Sequence, residues 1–129
     1  MSESGTPSPA ARTPARVLVV EDDASTADAL CRLLKIYGYD VLLADTVQAA
    51  LDQLARHPDH ILLDLMLPDG DGARVLEAVR KSRLASRVVV LTGVGDADHL
   101  DRVRGLNPEA LLNKPVDFKQ ILEKLAKVA

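Results

Sequence analysis

The sequence predicts an α/β fold in which five β–α units build a doubly wound parallel sheet. Two observations predict it. Short apolar runs of about five residues recur along the chain, and the segments of about ten residues between them carry apolar positions at helical spacing. Glycine, proline or acidic residues separate the two kinds of segment. Strands that alternate with helices in this way pair in parallel, because each helix is a right-handed crossover between two strands.

The composition is that of one ordinary globular domain. The chain has 129 residues, a net charge of −3 and 47% hydrophobic residues. Only 2% of the residues are aromatic, and no basic stripe occurs, so neither base stacking nor phosphate-backbone binding to nucleic acid is expected. The single cysteine, Cys31, falls in an apolar helical pattern and is interpreted as a core or boundary residue. No apolar run is long enough for membrane insertion, and the first residues lack a signal-peptide core, so we expect a cytoplasmic protein.

The first 15 residues are rich in serine, threonine, proline and alanine. Such a segment has little surface to bury, so we expect a disordered tail at residues 1–15 and one domain at residues 16–129. The domain is either a stand-alone protein or part of a longer one. The initial Met1 and the tail favour a natural N-terminus, whereas the end of the chain is compatible with both.

The first β–α unit begins with an apolar strand at residues 16–20, which ends at Glu21, Asp22 and Asp23. Apolar residues then recur at three- and four-residue spacing, which is typical of an amphipathic helix. Gly38 lies where a left-handed residue is expected to end this helix.

The second unit begins with a strand at residues 39–44. Either Asp45 or Thr46 is expected to cap the next helix, because both side chains can accept a hydrogen bond from a first-turn amide. The apolar stripe of this helix extends from Val47 to Ala55, and Pro58 closes the segment.

The third strand, residues 60–65, carries a continuous apolar run that predicts burial on both faces. Asp64 ends the run, and a turn rich in proline and glycine follows. A carboxylate at this position lies at the sheet edge where α/β folds bind their ligands. Its burial is costly unless a cation or hydrogen-bond donors compensate.

The rest of the chain predicts three helices and two strands. In order, these are a helix at 73–81, a strand at 87–92, a helix at 96–105, a strand at 109–113 and a helix at 118–128 capped by Asp117. The expected strand order is 2-1-3-4-5, as in flavodoxin-like folds. This order puts a ligand-binding switch point between the first and third strands.

Polar side chains follow four of the predicted strands, and parallel strands end at one edge of the sheet. Glu21 and Asp22 follow the first strand, Asp64 the third, Thr92 the fourth and Lys114 the fifth. The carboxylates would repel one another unless a hard cation lay between them, and oxygen ligands suit Mg²⁺. A carboxylate nucleophile, a metal, a lysine and a hydroxyl together predict transfer of a phosphoryl group onto Asp64.

Four motifs occur in this order along the chain, VLVVEDD, LLDLMLPDGDG, VVLTG and NKP. Together they resemble the receiver domain of two-component response regulators, in its single-domain, chemotaxis-regulator-like form. The resemblance extends from residue 16 to about residue 128. It implies a phosphorelay signalling protein that takes a phosphoryl group from a sensor histidine kinase or phosphotransfer protein and acts on a downstream effector. It also implies that the chain is no enzyme beyond catalysing its own phosphorylation and dephosphorylation.

The resemblance further implies which residues form the metal site. Asp64 corresponds to the phosphoacceptor and a metal ligand, and Asp22 to the direct Mg²⁺ ligand. Glu21 corresponds to the acidic partner of Asp22, which usually acts through water. The backbone carbonyl of Met66 corresponds to the remaining protein ligand.

The resemblance also assigns the switch residues. Thr92 corresponds to the hydroxyl that moves toward the phosphoryl group, and Lys114 to the lysine that pairs with that group. The bond between Lys114 and Pro115 resembles the family's cis peptide. One position departs from the family pattern: Leu111 stands where an aromatic residue usually couples to the threonine, so the output face is expected to respond differently.

Other functions are weaker alternatives. A phosphorylation-independent interaction module is favoured only by Leu111. A Mg²⁺-dependent aspartyl-phosphate hydrolase of the haloacid-dehalogenase type needs a second aspartate two residues after the nucleophile, where this chain has Met66. A flavin mononucleotide binder needs a phosphate loop after the first strand, where the acidic residues would repel a phosphate.

Several polar residues have a simpler interpretation. Asp69 and Asp71 are expected to be solvated turn residues, and the basic run at residues 80–83 a solvated helix end. The 3 histidines share no metal-ligand spacing and are interpreted as structural or surface residues.

Overall fold

The computed structural model describes residues 14–93 and 97–126, so residues 1–13 of the predicted tail lie outside the described residues. Its strands are β1 (Arg16–Val20), β2 (Asp40–Ala44), β3 (His60–Asp64), β4 (Met66–Leu67), β5 (Gly70–Asp71), β6 (Arg87–Thr92) and β7 (Ala110–Asn113). Its helices are α1 (Ala24–Ile36), α2 (Val47–Gln53), α3 (Ala73–Lys81), α4 (Ala97–Gly105) and α5 (Phe118–Ala126).

Five strands form one parallel sheet in the order β2-β1-β3-β6-β7. Because β6 and β7 are the fourth and fifth strands of this sheet, the predicted flavodoxin-like order is confirmed. Apolar residues lie beside one another across the central strands: Val19 of β1 pairs with Leu62 of β3, and Leu62 pairs with Val89 of β6. The carboxyl ends of β1, β3, β6 and β7 therefore meet at one edge.

Side chains of the sheet alternate between two cores, one on each face. The core on the side of α2, α3 and α4 contains, from the three central strands, Leu18, Val20, Ile61, Leu63, Val88 and Val90. The core on the side of α1 and α5 contains Val17, Val19, Leu62, Val89 and Leu91. All residues of β3 are buried, as expected for a strand covered on both faces.

Helix ends follow local sequence signals. Asp23 is the N-cap of α1, and Gly38 follows its end with a φ of +90°. Thr46, rather than Asp45, caps α2, since its hydroxyl accepts a hydrogen bond from the amide of Ala49 at 3.0 Å. No helix in the described part of the chain is long and apolar enough to span a membrane.

Apart from one-residue differences at the ends of β2, β3 and β7, two segments differ from the predictions. Helix α2 stops at Gln53, and a 3₁₀ turn (Leu54–Arg56) ends at His57, which has a φ of +52°. Strands β4 and β5 form an antiparallel hairpin where only a turn was predicted. Each strand of the hairpin has 2 residues, too few for an alternating pattern to indicate it. Residue 96 of the predicted fourth helix and residues 127–128 of the last helix lie outside the described residues.

Candidate functional site

Asp64 lies at the carboxyl end of β3 and is only 4% exposed. Its Oδ1 accepts a hydrogen bond from the amide of Met66 at 3.1 Å, and its Oδ2 accepts one from Lys114 Nζ at 2.9 Å. The two oxygens are thus held by different partners, one from the first residue of β4 and one from the residue that follows β7. These contacts compensate part of the cost of burying the carboxylate.

Glu21 directly follows β1 and is also buried, with 5% exposure. Its Oε2 accepts a hydrogen bond from the amide of Asp23 at 3.1 Å. Its Oε1 lies 3.6 Å from Lys114 Nζ and accepts no hydrogen bond from any residue in the described ranges. A buried carboxylate oxygen in this state has room for a further positive partner.

The charges of Glu21, Asp64 and Lys114 depend on one another. Burial raises the pKa of Glu21 and the negative charge of Asp64 raises it further, while the hydrogen bond from the Asp23 amide and the charge of Lys114 oppose the shift without cancelling it. Partial burial works against the charged form of Lys114, but the hydrogen bond and charge of Asp64 and the charge of Glu21 outweigh it, so the pKa of Lys114 is raised. The lysine therefore stays an ammonium and reduces the repulsion between the two carboxylates.

The exposed side chain of Asp22 completes an acidic cluster with Glu21 and Asp64. Each of the three offers one carboxylate oxygen, and these oxygens lie within 4.8 Å of one another. Asp23 has a different role, because its carboxylate caps α1 by accepting a hydrogen bond from the amide of Thr26 at 3.1 Å. A set of carboxylate oxygens, one of them buried and without a hydrogen bond among the described residues, fits a hard divalent cation such as Mg²⁺.

Thr92 ends β6 at the same edge of the sheet and is 4% exposed. Its hydroxyl donates to the side-chain oxygen of Asn113 on β7 at 2.9 Å, and its backbone carbonyl accepts from the Lys114 amide at 2.6 Å. The fold thus brings Thr92 to the edge where Asp64 lies, but its hydroxyl is engaged by Asn113. Sequence analysis included Asn113 in the NKP motif but gave it no role. The available signal was that Asn113 is the last residue of the fifth predicted strand, as Thr92 is of the fourth.

The turn after Asp64 is tightly packed against the strand that precedes it. A Cβ atom on Gly72 would lie 2.3 Å from the backbone oxygen of Asp64, so only glycine fits there without displacement. The amide of Gly72 donates to the carbonyl of Leu65 at 2.8 Å. Met66, whose carbonyl is a predicted metal ligand, has an exposed side chain in this turn.

Asp69 is an exposed turn residue, as predicted, whereas Asp71 is half-buried at the end of β5, and both carboxylates have partners that were not predicted. Asp69 accepts hydrogen bonds from the first amides of α2, those of Val47 at 2.7 Å and Gln48 at 3.1 Å, and the first of these bonds is the main reason that its pKa is lowered. Asp71 forms an ion pair with Arg102 of α4 at 2.9 Å. Both partners are distant in sequence, so no local pattern indicated them.

The basic run at residues 80–83, at the end of α3, is exposed as predicted, but Arg80 also contacts a neighbouring loop. The guanidinium of Arg80 donates to the backbone carbonyls of Leu106, at 2.7 Å, and Asn107. These bonds fasten the loop that leads from α4 into β7.

The structure describes both the peptide bond after Lys114 and the side chain of Leu111, two features that the sequence analysis singled out. The peptide bond between Lys114 and Pro115 is cis, as expected from the resemblance. Leu111 is half-buried and packs against the core on the side of α4. His60 is buried, and its ring meets that of Tyr39 edge-on with centroids 6.3 Å apart, in agreement with a structural role.

Residues 17–126 match the family described as the response regulator receiver domain. The phosphate regulon transcriptional regulatory protein PhoB of Klebsiella pneumoniae is 35% identical over 118 residues, which cover 88% of this chain and 51% of PhoB. The acid tolerance regulatory protein ActR of Rhizobium meliloti is 34% identical over 110 residues, which cover 84% of this chain and 57% of ActR. The chain spans about half the length of these curated relatives.

Solved structures of receiver domains have the same fold. A CheY-like response regulator receiver domain protein from Methanospirillum hungatei matches with a TM-score of 0.81 and 28% identity, covering 86% of this chain and 90% of that one. The non-phosphorylated HemR receiver domain from Leptospira biflexa matches with a TM-score of 0.79 and 28% identity, covering 89% and 96%. The acidic cluster is typical of the Mg²⁺ site of receiver domains and consistent with a phosphoacceptor site.

Receiver domains are signalling modules of two-component systems rather than classical enzymes, and their partners are histidine kinases. Their fold, the acidic cluster and the sequence match over residues 17–126 all occur together in this protein. The chain therefore belongs to the response regulator receiver domain family.

Proposed function

We propose that this chain is a phospho-accepting receiver in a cytoplasmic phosphorelay, with Asp64 as the residue that is phosphorylated. The observation that supports this most directly is the contact between Lys114 Nζ and Asp64 Oδ2 at 2.9 Å, beside a buried acidic cluster. The cluster explains why a carboxylate is kept at the end of a buried strand, and the lysine supplies a cation where a phosphoryl group would bring new negative charge.

The proposed donor is a phosphohistidine of a sensor histidine kinase or phosphotransfer protein. An oxygen of Asp64 attacks the phosphorus, an O–P bond forms, the P–N bond breaks, and the histidine nitrogen leaves with the electron pair. The amide of Met66 holds Oδ1 and orients the carboxylate at the sheet edge. Positioning and charge compensation supply most of the catalysis in transfers of this kind.

A Mg²⁺ ion would be held by Glu21, Asp22, Asp64 and the backbone carbonyl of Met66. When bound, it supplies positive charge for the phosphoryl oxygens that no side chain in the cluster provides. Lys114 shares its charge between Glu21 and Asp64 in the resting protein. We propose that it pairs with a phosphoryl oxygen after transfer.

Phosphorylation would add a charge of about −2 at neutral pH. Thr92 and Lys114, drawn toward that charge, would shift the face formed by α4, β7 and α5 between two populations. A downstream effector protein or domain would bind this face. Leu111 is slimmer than the aromatic residue usual in the family, so the coupling of Thr92 to this face must use other contacts.

The test is incubation with acetyl phosphate and Mg²⁺, followed by intact mass spectrometry. We expect one phosphoryl adduct, which is lost in Asp64→Asn and when the metal is chelated. Asp101→Asn is the matched control, because the Asp101 side chain is fully exposed on α4. A wild-type chain that forms no adduct would favour the phosphorylation-independent module, and an adduct that persists in Asp64→Asn would exclude Asp64 as the acceptor.

A further inference from the structure

The hydroxyl of Thr92 is held by a residue to which no role has been assigned. Thr92 and Asn113 lie side by side in the register of β6 and β7, and the hydroxyl donates to the Asn113 side-chain oxygen at 2.9 Å. The side chain of Thr92 is on the sheet face of Val88 and Val90, since side chains alternate along a strand. Asn113 is on the same face as Leu111, which packs against the core below α4.

A threonine hydroxyl has one proton to donate. If it donates to a phosphoryl oxygen on Asp64, the bond to Asn113 must break. The two acceptors therefore compete for one donor, and each bond disfavours the state that contains the other.

We propose that Asn113 is a positioning residue that holds Thr92 in the resting state and opposes the switch toward a phosphorylated Asp64. This inference rests on the proposed function, since it needs Thr92 to respond to phosphorylation. The inference goes beyond that function by assigning a role to Asn113. Breaking the bond between Thr92 and Asn113 costs free energy, and this cost reduces the net stabilisation gained when Thr92 binds the phosphoryl group.

Thr92 and Asn113 differ in burial, so the loss of their hydrogen bond affects the resting state more than the switched state. Thr92 is 4% exposed, so a resting hydroxyl without its acceptor would be a buried and unpaired donor. Asn113 is exposed, so water can replace the hydroxyl when the bond breaks. Loss of the Asn113 oxygen therefore destabilises the resting state and has little effect on the switched state.

The position of Asn113 also gives the switch a route to the surface. β7 is an edge strand of the sheet, Asn113 is exposed on it, and Lys114 follows directly. With Leu111 in place of an aromatic residue, Asn113 is the described side chain that changes its hydrogen bond when Thr92 moves.

The experiment is a double-mutant cycle with Asn113→Val and Thr92→Val, read as the beryllium fluoride concentration that half-saturates the protein at fixed Mg²⁺. Beryllofluoride is a noncovalent analogue of the phosphoryl group, and amide NMR shifts report its binding at Asp64. Valine lacks the acceptor and suits a strand. Asn113→Ala is the second variant, and thermal unfolding checks that each variant folds.

We expect Asn113→Val and Asn113→Ala to bind the analogue about two- to tenfold more tightly than the wild type, the range of one net hydrogen bond. In the Thr92→Val background the same substitutions should have no effect, because no hydroxyl remains to be released. A merely structural role for Asn113 would change unfolding in both backgrounds without this dependence on Thr92.

Two results would overturn the inference while leaving the proposed function intact: unchanged or weaker binding in both Asn113 variants, or a gain that persists without the Thr92 hydroxyl. Failure of the wild-type chain to bind beryllofluoride would overturn the proposed function as well. The wild-type titration therefore separates the two kinds of failure.

Discussion

Lys114 and Asp64 join the ends of two strands that are not neighbours in the sheet. Lys114 follows β7 and Asp64 ends β3, with β6 between them, yet Nζ and Oδ2 lie 2.9 Å apart. The side chain of Lys114 therefore reaches across the end of β6, where Thr92 lies. This geometry places the ammonium, the carboxylate and the hydroxyl at one edge, although the three residues belong to separate β–α units.

Removal of the lysine charge should destabilise the protein when no Mg²⁺ is present. In Lys114→Gln, Glu21 and Asp64 would face each other without a compensating cation. We expect the free energy of unfolding in urea with a chelator to fall by about 1–2 kcal/mol, a value below that of a fully buried charged hydrogen bond because the lysine is partly exposed. Lys119→Gln on the exposed side of α5 is the matched control and should change stability by less than about 0.5 kcal/mol. Equal changes in the free energy of unfolding for Lys114→Gln and Lys119→Gln would mean that the ion pair does not stabilise the fold.

Mg²⁺ should stabilise the folded chain through the acidic cluster. A ligand present at about 100 times its dissociation constant adds about 2.7 kcal/mol to the free energy of unfolding. We expect a Mg²⁺-dependent rise in the thermal midpoint of the wild type that is reduced in Asp22→Asn and Glu21→Gln. Asp101→Asn, outside the cluster, should retain the full rise. A rise of the same size in all variants would show that the ion acts elsewhere.

Much of the fold follows from local signals in the sequence. The boundaries of β1, β6 and α3 were predicted correctly from their apolar residues. Buried positions recur with a characteristic spacing along a strand or a helix, so the sequence pattern shows where such an element begins and ends. The strand order then followed from the alternation of strands and helices. Asp64 and Lys114 were predicted at one edge for the same reason, since all parallel strands end there.

The contacts that were missed are set by tertiary geometry. Asp69 caps the start of α2 across 22 residues of sequence, and Asp71 pairs with Arg102 across 31. No spacing rule links such residues. The hydrogen bond between Thr92 and Asn113 depends on the pairing register of β6 and β7. A strand pattern in the sequence does not determine that register to the residue.

The pKa of Glu21 leads to a prediction for the pH dependence of stability. Because the pKa is raised in the folded protein, the folded state binds a proton more tightly than the unfolded state. The charged form therefore destabilises the fold, and this cost appears as pH rises above the unfolded value of about 4.3. Glu21→Gln removes the titration. In Mg²⁺-free buffer, we expect the stability of the variant relative to the wild type to increase as pH rises from about 4 to about 7.

Urea unfolding across this pH range measures the difference. Asp101→Asn serves as the reference, because its exposed carboxylate should leave a nearly constant difference from the wild type. A difference between Glu21→Gln and the wild type that stays flat or falls with pH would contradict a raised pKa at Glu21.

We expect that residue 72 must be glycine because the backbone of Asp64 and Leu65 leaves no space for a side chain, and not because the turn needs a flexible residue. An added Cβ would lie 2.3 Å from the Asp64 carbonyl oxygen and 2.9 Å from the Leu65 Cα. Backbone atoms cannot rotate away, so the turn must move. We expect Gly72→Ala to lower the free energy of unfolding by about 1–3 kcal/mol, as overpacked sites do, and to slow adduct formation from acetyl phosphate, because the same movement displaces Asp64 and the carbonyl of Met66.

Gly105→Ala is the matched control for this substitution. Gly105 ends α4, and an added Cβ would have no neighbour within 4 Å among the described atoms. Alanine also favours the helix by up to about 1 kcal/mol, so this variant should be as stable as the wild type or more stable, and should be phosphorylated at the same rate. If Gly72→Ala were as active and as stable as Gly105→Ala, the close approach of the turn to Asp64 would have no part in the chemistry. If Gly72→Ala remains almost fully folded, its lower stability cannot explain a slower phosphorylation rate. A slower rate would then show that the substitution acts on the carboxylate of Asp64 itself, because the reacting oxygen has moved.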